Sequence, residues 1–186
     1  MLAPRIVSES DGLFAGMVLL CGSNASLLDI MIRQSEDAVA ALPDDQRALQ
    51  TAALDEIRRQ AAALPGMTAE EAQAVTIAGQ PGFYFWEMTR HPSAAELITS
   101  LALPTLIING DRDFQVNRQE GREGWESSLP MDAPYLTCLW ADVNHLLMRP
   151  NVDEALAGTA AEYMVPCTLD EEVASAVSSF ILTKEE

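Results

Sequence analysis

Two short stretches of this sequence place titratable side chains soon after apolar runs. Asp111 and Asp113 follow the run "TLIIN", and His145 follows the run "YLTCLW". A carboxylate that accepts the Nδ1 proton of a histidine fixes the tautomer of the ring and stabilises the imidazolium formed when the other nitrogen takes a proton. Each residue alone is also typical of an ordinary turn or loop. Their occurrence after successive runs favours an acid–base pair, in which either aspartate can supply the carboxylate.

The apolar runs before these residues predict strands of a parallel sheet. Runs near residues 15–23, 103–113 and 134–140 have strand length, end in turn residues and lack clean alternation, which favours strands covered on both faces. The carboxyl ends of parallel strands meet at one edge of a sheet, where binding and catalytic groups collect. A predicted helix between the second and third runs places Trp125 and Leu129 on its inner face. The fold class is therefore α/β, with about three parallel strands and flanking helices.

Two further helical regions accompany the strands. The last segment predicts a helix that Thr168 and Glu171 open as a capping box. Residues 26–80 are rich in Ala, Leu, Gln and charge, and they predict two long helices and a third short one. We interpret 26–80 as a helical, lid-like insertion within one domain that covers residues 1–186. The aromatic cluster 83–86 follows it and is expected in a loop, where packing on a core is more ordinary than lining a ligand site.

Charge and composition disfavour several classes of function. The chain has 28 acidic and 11 basic residues, a formal charge of −17. Such a field repels phosphate backbones and anionic lipids, so no nucleic-acid or membrane partner is expected. A solubilising surface is the favoured interpretation, and an acidic site for a cationic partner is the alternative. The stretch "MLAPRIVSESDG" lacks the basic and apolar regions of a signal peptide, so none is expected, and no apolar run is long enough to cross a bilayer.

The cysteines predict neither disulfides nor a metal site. Cys21, Cys138 and Cys167 are odd in number and far apart, and none has metal-ligand spacing to another cysteine or to a histidine. We predict three buried thiols in a reducing compartment, which favours a cytoplasmic location. No metal and no cofactor are predicted.

Several motifs, in this order, resemble a known family. "PTLIINGDRDFQV", then "NHLLM", then the acidic segment that ends in "SAVSSFI" resemble the C-terminal part of α/β-hydrolases, in the branch of dienelactone-hydrolase-like and prolyl-oligopeptidase-like serine esterases and peptidases. The segments "MLAPRIVSESDGLFAGMVLLCGS" and "PGFYFWEMTRHPSAAELI" resemble the parts of that fold after its nucleophile and after its insertion. The resemblance covers nearly the whole chain.

The resemblance implies roles for particular residues. It places Asp113 as the triad acid and His145 as the triad base, and it puts Asp111 on a variable position. It also implies that Trp86, with Phe85, lines the pocket for the acyl substrate, which is a small molecule.

The nucleophile of the family lies in a G-x-S-x-G turn, and no such motif occurs in this sequence. The chain is expected to begin just after that turn and to be inactive by itself. Cys21 and Ser23 are the only nucleophiles near a strand end, and a buried structural thiol is the favoured interpretation of Cys21. Three functions stay open: the C-terminal portion of a serine hydrolase, a non-catalytic α/β module for binding or assembly, and one chain of a split hydrolase.

A sheet of three strands taken from a larger one leaves the backbone edge of its first strand exposed. We expect a second copy of the chain, an N-terminal partner chain, or a rearrangement of the chain's own first residues and helical insertion to cover this edge.

Overall fold

A computed structural model describes residues 2–183. The described chain divides into two compact units. The sheet unit consists of Met1–Asn24 and Ser93–Glu186, and the helical unit consists of Ala25–Pro92. The predicted insertion of 26–80 lies inside the helical unit.

The elements alternate between helices and strands in the sheet unit and are mostly helices in the helical unit. In chain order they are α1 (Ala3–Ser8), β1 (Met17–Leu20), α2 (Leu27–Ala40), α3 (Asp44–Ala63), α4 (Ala69–Ala74), β2 (Thr76–Ile77), β3 (Gln80–Pro81), α5 (Gly82–Met88), α6 (Ala94–Leu101), β4 (Thr105–Gly110), α7 (Gly124–Ser128), β5 (Leu136–Ala141) and α8 (Glu171–Leu182). Short 3-10 helices cover Leu64–Gly66 and Ala160–Met164, and a π-helix covers Gln119–Glu123.

The main sheet has three parallel strands in the order β1-β4-β5. Met17 lies opposite Thr105, and Thr105 lies opposite Leu136. All six residues of the central strand β4 are buried, as expected for a continuous apolar run covered on both faces. The α/β class and the three parallel strands are therefore confirmed. β1 is an edge strand whose described partner in this sheet is β4.

Helices cover both faces of this sheet. On one face α1, α6 and α7 contribute Val7, Ile98 and Trp125 to a core that includes Ile107 of β4. On the other face Val173 of α8 packs with Ile108 and with the buried loop residues that follow β5. Because alternate residues of β4 point to opposite faces, each apolar position of the run has a helix to pack against.

The helical unit follows local sequence rules closely. Ser26 caps α2, and Thr68 forms the expected capping box with Glu71 at the start of α4. The core of this unit contains the buried side chains Leu28, Leu64, Ile77 and Phe85. Helices predicted within 26–80 are confirmed as α2, α3 and α4.

Two local expectations need correction. The aromatic segment is helical, in α5, rather than a loop, because it packs an amphipathic face on the core of the helical unit. The side chain that caps α8 is Asp170, which accepts hydrogen bonds from the amides of Glu172 and Val173, rather than Thr168. The helix predicted before the third strand is confirmed, as the π-helix Gln119–Glu123 continued by α7, with Trp125 and Leu129 buried. Among residues 2–183, no helix has the length and apolar character that a bilayer crossing needs.

Candidate functional site

The carboxyl ends of β4 and β5 bring Asp113 and His145 together. Nδ1 of His145 lies 2.8 Å from Oδ2 of Asp113. The amide of Asp111 donates to the carbonyl oxygen of Ala141, and the amide of Arg112 donates to that of Val143, so the two loops are joined by backbone hydrogen bonds. Parallel strands in register therefore place an acid from one loop beside a base from the next, as predicted.

Gly110 allows these two loops to approach so closely. A Cβ atom at this position would collide with the carbonyl oxygen of Val143. Glycine is thus the residue type that permits the last ladder position of β4 to contact the loop after β5.

Both oxygens of the Asp113 side chain have hydrogen-bond partners. Oδ1 accepts from the amides of Gln115 at 2.8 Å and Val116 at 2.9 Å, while Oδ2 faces His145. Asp113 is 4% exposed, whereas Asp111 is exposed. The structure therefore distinguishes the two aspartates, and Asp113 is the one that orients the histidine.

The turn that carries His145 is fixed by its neighbour Asn144. Oδ1 of Asn144 accepts from the amides of Leu146 at 3.0 Å and Met148 at 3.2 Å. Leu147 completes the turn in the left-handed region, at φ 57°. The imidazole is partly exposed, with 30% of its side-chain surface accessible. With the Nδ1 proton directed at Asp113, Nε2 is the nitrogen that can accept a proton from a substrate or nucleophile.

A thiol lies beside this pair. Cys21 follows β1 in the left-handed region at φ 48°, and its Sγ is 3.9 Å from the carbonyl oxygen of Asn144. Burial raises the pKa of the Cys21 thiol to about 12, and the Asp113 carboxylate shifts it in the same direction. A reactive cysteine needs a lowered pKa, so this environment suppresses the thiolate. The expectation that Cys21 is a buried thiol is confirmed.

The hydroxyl of Ser23 has another acceptor. It donates to the carbonyl oxygen of Glu120 at 2.7 Å. A serine hydroxyl has one proton to give, so in this arrangement Ser23 does not offer that proton to His145.

The side chains of Cys21, Asp113 and His145 each have one ligand atom within 4.8 Å of the others, a spacing that could hold a metal ion. No metal was predicted, because these three residues are far apart in the sequence. Their spacing along the chain does not reveal that the fold brings them together. In the observed geometry, however, Nδ1 and Oδ2 are at hydrogen-bond distance. Two ligands of one tetrahedral zinc ion, each bonded at about 2.0–2.2 Å, would lie farther apart than this.

Comparison with known proteins adds no relative. No family model, no curated protein and no solved structure matches this chain. The resemblance to α/β-hydrolases therefore rests on the sequence motifs alone.

Phe85 and Trp86 lie in the helical unit. Phe85 is 3% exposed and belongs to the core of that unit. The indole of Trp86 donates to the carbonyl oxygen of Met67 at 2.8 Å, and the guanidinium of Arg90 lies 4.7 Å from the ring centroid. Both residues thus have a structural role within the unit. Their assignment to an acyl pocket stays a prediction.

The other two cysteines differ from each other. Cys138 is partly buried, and burial raises the pKa of its thiol to about 11. Cys167 is exposed, so the expectation of three buried thiols is wrong for this residue. All three thiols are free.

Glu162 lies near the site and was not predicted from the sequence. Its side chain is fully buried and contacts Asn144, the neighbour of His145. Nothing in the sequence marks it, because it is one acid among several in the region between β5 and α8.

Proposed function

We propose that this chain supplies the acid and the base of an α/β-hydrolase-type site that cleaves esters or amides. The observation that carries the proposal is the hydrogen bond of 2.8 Å between Nδ1 of His145 and Oδ2 of Asp113, made by loops that follow adjacent parallel strands. The order of the motifs in the sequence supports the same assignment. The chain would correspond to the C-terminal portion of a serine hydrolase, acting on a small acyl compound.

His145 would transfer the protons in this reaction. Its Nε2 takes the proton from the attacking hydroxyl as the hydroxyl oxygen bonds to the acyl carbon. The imidazolium then returns that proton to the leaving alcohol or amine as its bond to the acyl carbon breaks. In a second step the same Nε2 deprotonates water, which displaces the serine oxygen and releases the acid. Asp113 keeps Nδ1 protonated and stabilises the transient positive charge without taking the proton itself.

We assign the attacking hydroxyl to a serine that is not among the described residues near His145. Two features support this assignment: the Ser23 proton is donated to Glu120, and the pKa of Cys21 is raised to about 12. An N-terminal partner polypeptide would supply this serine and would also pair with the edge strand β1. A cytoplasmic location is part of the proposal, because the three cysteines are free thiols.

Hydrolysis of p-nitrophenyl acetate by the full chain tests the base. Because the serine is assigned elsewhere, we expect only the slow residual hydrolysis in which His145 activates water directly. This residual rate should fall in His145→Gln and in Asp113→Asn, since each change removes the oriented base. His91→Gln is the matched control, because His91 is the other histidine of the chain and pairs with Glu87 in the helical unit. Equal rates in wild type and His145→Gln would refute the catalytic assignment and favour a non-catalytic module for binding or assembly.

A fluorophosphonate probe tests the nucleophile. Intact mass after incubation should show no rapid adduct, because the probe reacts quickly only with an activated nucleophile. A rapid single adduct that disappears in His145→Ala would show that the chain contains its own nucleophile. That result would overturn the external serine and leave the roles of Asp113 and His145 in place.

A further inference from the structure

The segment between β5 and α8 has an unusual pattern of burial. Within residues 151–170, all of which the structure describes, Glu162 is the single buried residue. Its side chain has no accessible surface. We call this segment, residues 151–170, the strap. A segment that lies over a protein surface normally buries apolar side chains, so a buried carboxylate requires a specific explanation.

Each carboxylate oxygen of Glu162 has a defined partner. Oε1 accepts from Nδ2 of Asn144 at 2.6 Å, and Oε2 accepts from the amide of Gly158 at 2.9 Å. The guanidinium of Arg112 lies 3.9 Å from Oε2. Hydrogen bonds to an ionised acceptor are short and about twice as strong as neutral ones, which offsets part of the cost of burial.

Asn144 transmits this contact to the histidine. Its amide nitrogen is bound by Glu162, and its amide oxygen accepts from the backbone of Leu146 and Met148 on the far side of His145. A planar amide that is held at both ends cannot rotate. The orientation of the turn around His145 is therefore set by a residue of the strap.

The next residue of the strap reaches the acid loop. The hydroxyl oxygen of Tyr163 accepts from Nε2 of Gln115 at 2.7 Å, and its ring packs on Phe114 with centroids 5.4 Å apart. The backbone amide of Gln115 donates to Asp113. Two consecutive strap residues thus contact the loop of the base and the loop of the acid.

An apolar side chain at 162 would fill the same space without the cost of burying a charge. An apolar side chain cannot accept the hydrogen bond that holds the side-chain amide of Asn144, nor the one from the backbone amide of Gly158. We propose that Glu162 is a positioning residue, which holds the turn of His145 through Asn144 so that Nδ1 stays directed at Asp113. This inference rests on the proposed function, in which that orientation makes His145 the base.

An exchange of donor and acceptor tests the proposal. In Glu162→Gln, the new amide cannot accept from both Asn144 and Gly158, because one of its ends is a donor. In Asn144→Asp, two carboxylates face each other. In the double variant Asn144→Asp/Glu162→Gln, the glutamine nitrogen donates to the aspartate and its oxygen accepts from Gly158. The hydrogen bonds are restored with the negative charge moved to the other partner.

The readout is the Nδ1 proton of His145 in the NMR spectrum of the full chain, with His91 as internal reference. We expect that proton to exchange with water roughly tenfold faster or more in each single variant, because a charge-assisted hydrogen bond is lost. The double variant should return to within about threefold of wild type. Glu154→Gln, which changes an exposed acid of the same strap, should leave the exchange unaltered.

The outcomes distinguish a positioning role of Glu162 from a purely stabilising one. They also test that role separately from the proposed function. Wild-type exchange in a folded Glu162→Gln variant would overturn the proposal. So would a double variant that stays as fast as the single ones, or that fails to fold. Failure of the proposed function would appear differently, as ester hydrolysis that does not depend on His145 while the exchange pattern still follows the donor–acceptor swap.

Discussion

The two units of this protein use polar side chains over very different distances along the chain. In the helical unit, Thr68 caps through Glu71 three residues away, and Arg33 pairs with Asp37 four residues away. In the sheet unit, the indole of Trp125 bonds the carbonyl of Gly22 across 103 residues, and His145 meets Asp113 across 32. The helical unit also has longer contacts: the pair of Arg58 with Glu36 across 22 residues is exposed, and the bond from the Trp86 indole to the carbonyl of Met67 across 19 residues is partly buried.

This difference indicates which unit can contain a site with buried and oriented polar groups. Local contacts that stabilise helices require only a suitable residue type at a suitable spacing, and they leave polar groups in solvent. Contacts between distant residues can be buried, and burial shifts pKa values and fixes orientations. The sheet unit should therefore respond strongly to changes at its strand ends, while the helical unit should respond weakly to changes at its caps.

The largest expected effect concerns the Cys21 thiol. Burial that raises its pKa from 9.0 to about 12 lowers the thiolate fraction at pH 8 about a thousandfold relative to an ordinary thiol. Iodoacetamide should therefore modify Cys21 far more slowly than a free cysteine, with a rate that rises about tenfold per pH unit. Peptide mass mapping over time measures this rate. Fast modification of Cys21 at pH 8 in folded protein would show that the strand ends are not a low-dielectric environment.

An intermediate effect is expected at Gly110. Gly110→Ala introduces a Cβ where the carbonyl oxygen of Val143 lies, so the two loops must separate, at a cost of about 1–3 kcal/mol in unfolding free energy. The separation should also weaken the hydrogen bond between His145 and Asp113. Urea denaturation measures the first change and the Nδ1 proton of His145 the second.

Gly66, in the helical unit, is the matched control for this substitution. A Cβ there meets nothing within 4 Å. Gly66→Ala should therefore leave the free energy of unfolding unchanged or slightly higher. Equal losses at both glycines would contradict the contrast between the two units.

The smallest effect is expected at a helix cap. Thr68→Ala removes the oxygen that accepts from the amide of Glu71, which should cost about 1 kcal/mol. Hydrogen–deuterium exchange should locate the loss in α4 and its neighbours, and Thr68→Ser should keep most of the stability. A change in the protection of β4 or β5 would show that the effect of this cap reaches beyond its own unit.

Sequence patterns predicted those parts of the molecule that obey short-range rules. The strands follow from continuous apolar runs, the caps of α2 and α4 from residue type and spacing, and the meeting of an acid and His145 from the geometry of parallel strands. The aromatic segment of α5 was assigned wrongly because tertiary packing, rather than its Gly/Pro flank, decides its conformation.

Features that depend on unique long-range contacts could not be found this way. The choice of Asp113 over Asp111 came from a resemblance, since both follow the same strand. Burial of Glu162 has no sequence signal, because an acid in an acidic segment normally lies in solvent. The cap of α8 could be narrowed to two residues from the sequence, because Thr168 and Asp170 are both good capping residues. The observed helix begins at Glu171, directly after Asp170.

The strap also has a practical meaning for anyone who wishes to redesign this protein. Most of its side chains are exposed, and Glu162, Tyr163 and, at its end, Asp170 fix it to the fold. Most of its twenty positions can therefore be recoded, to graft an epitope or a metal-binding tag, while Glu162, Tyr163 and Asp170 keep their places. A surface that accepts new sequence so close to a histidine and a carboxylate is a natural starting point for engineering selectivity.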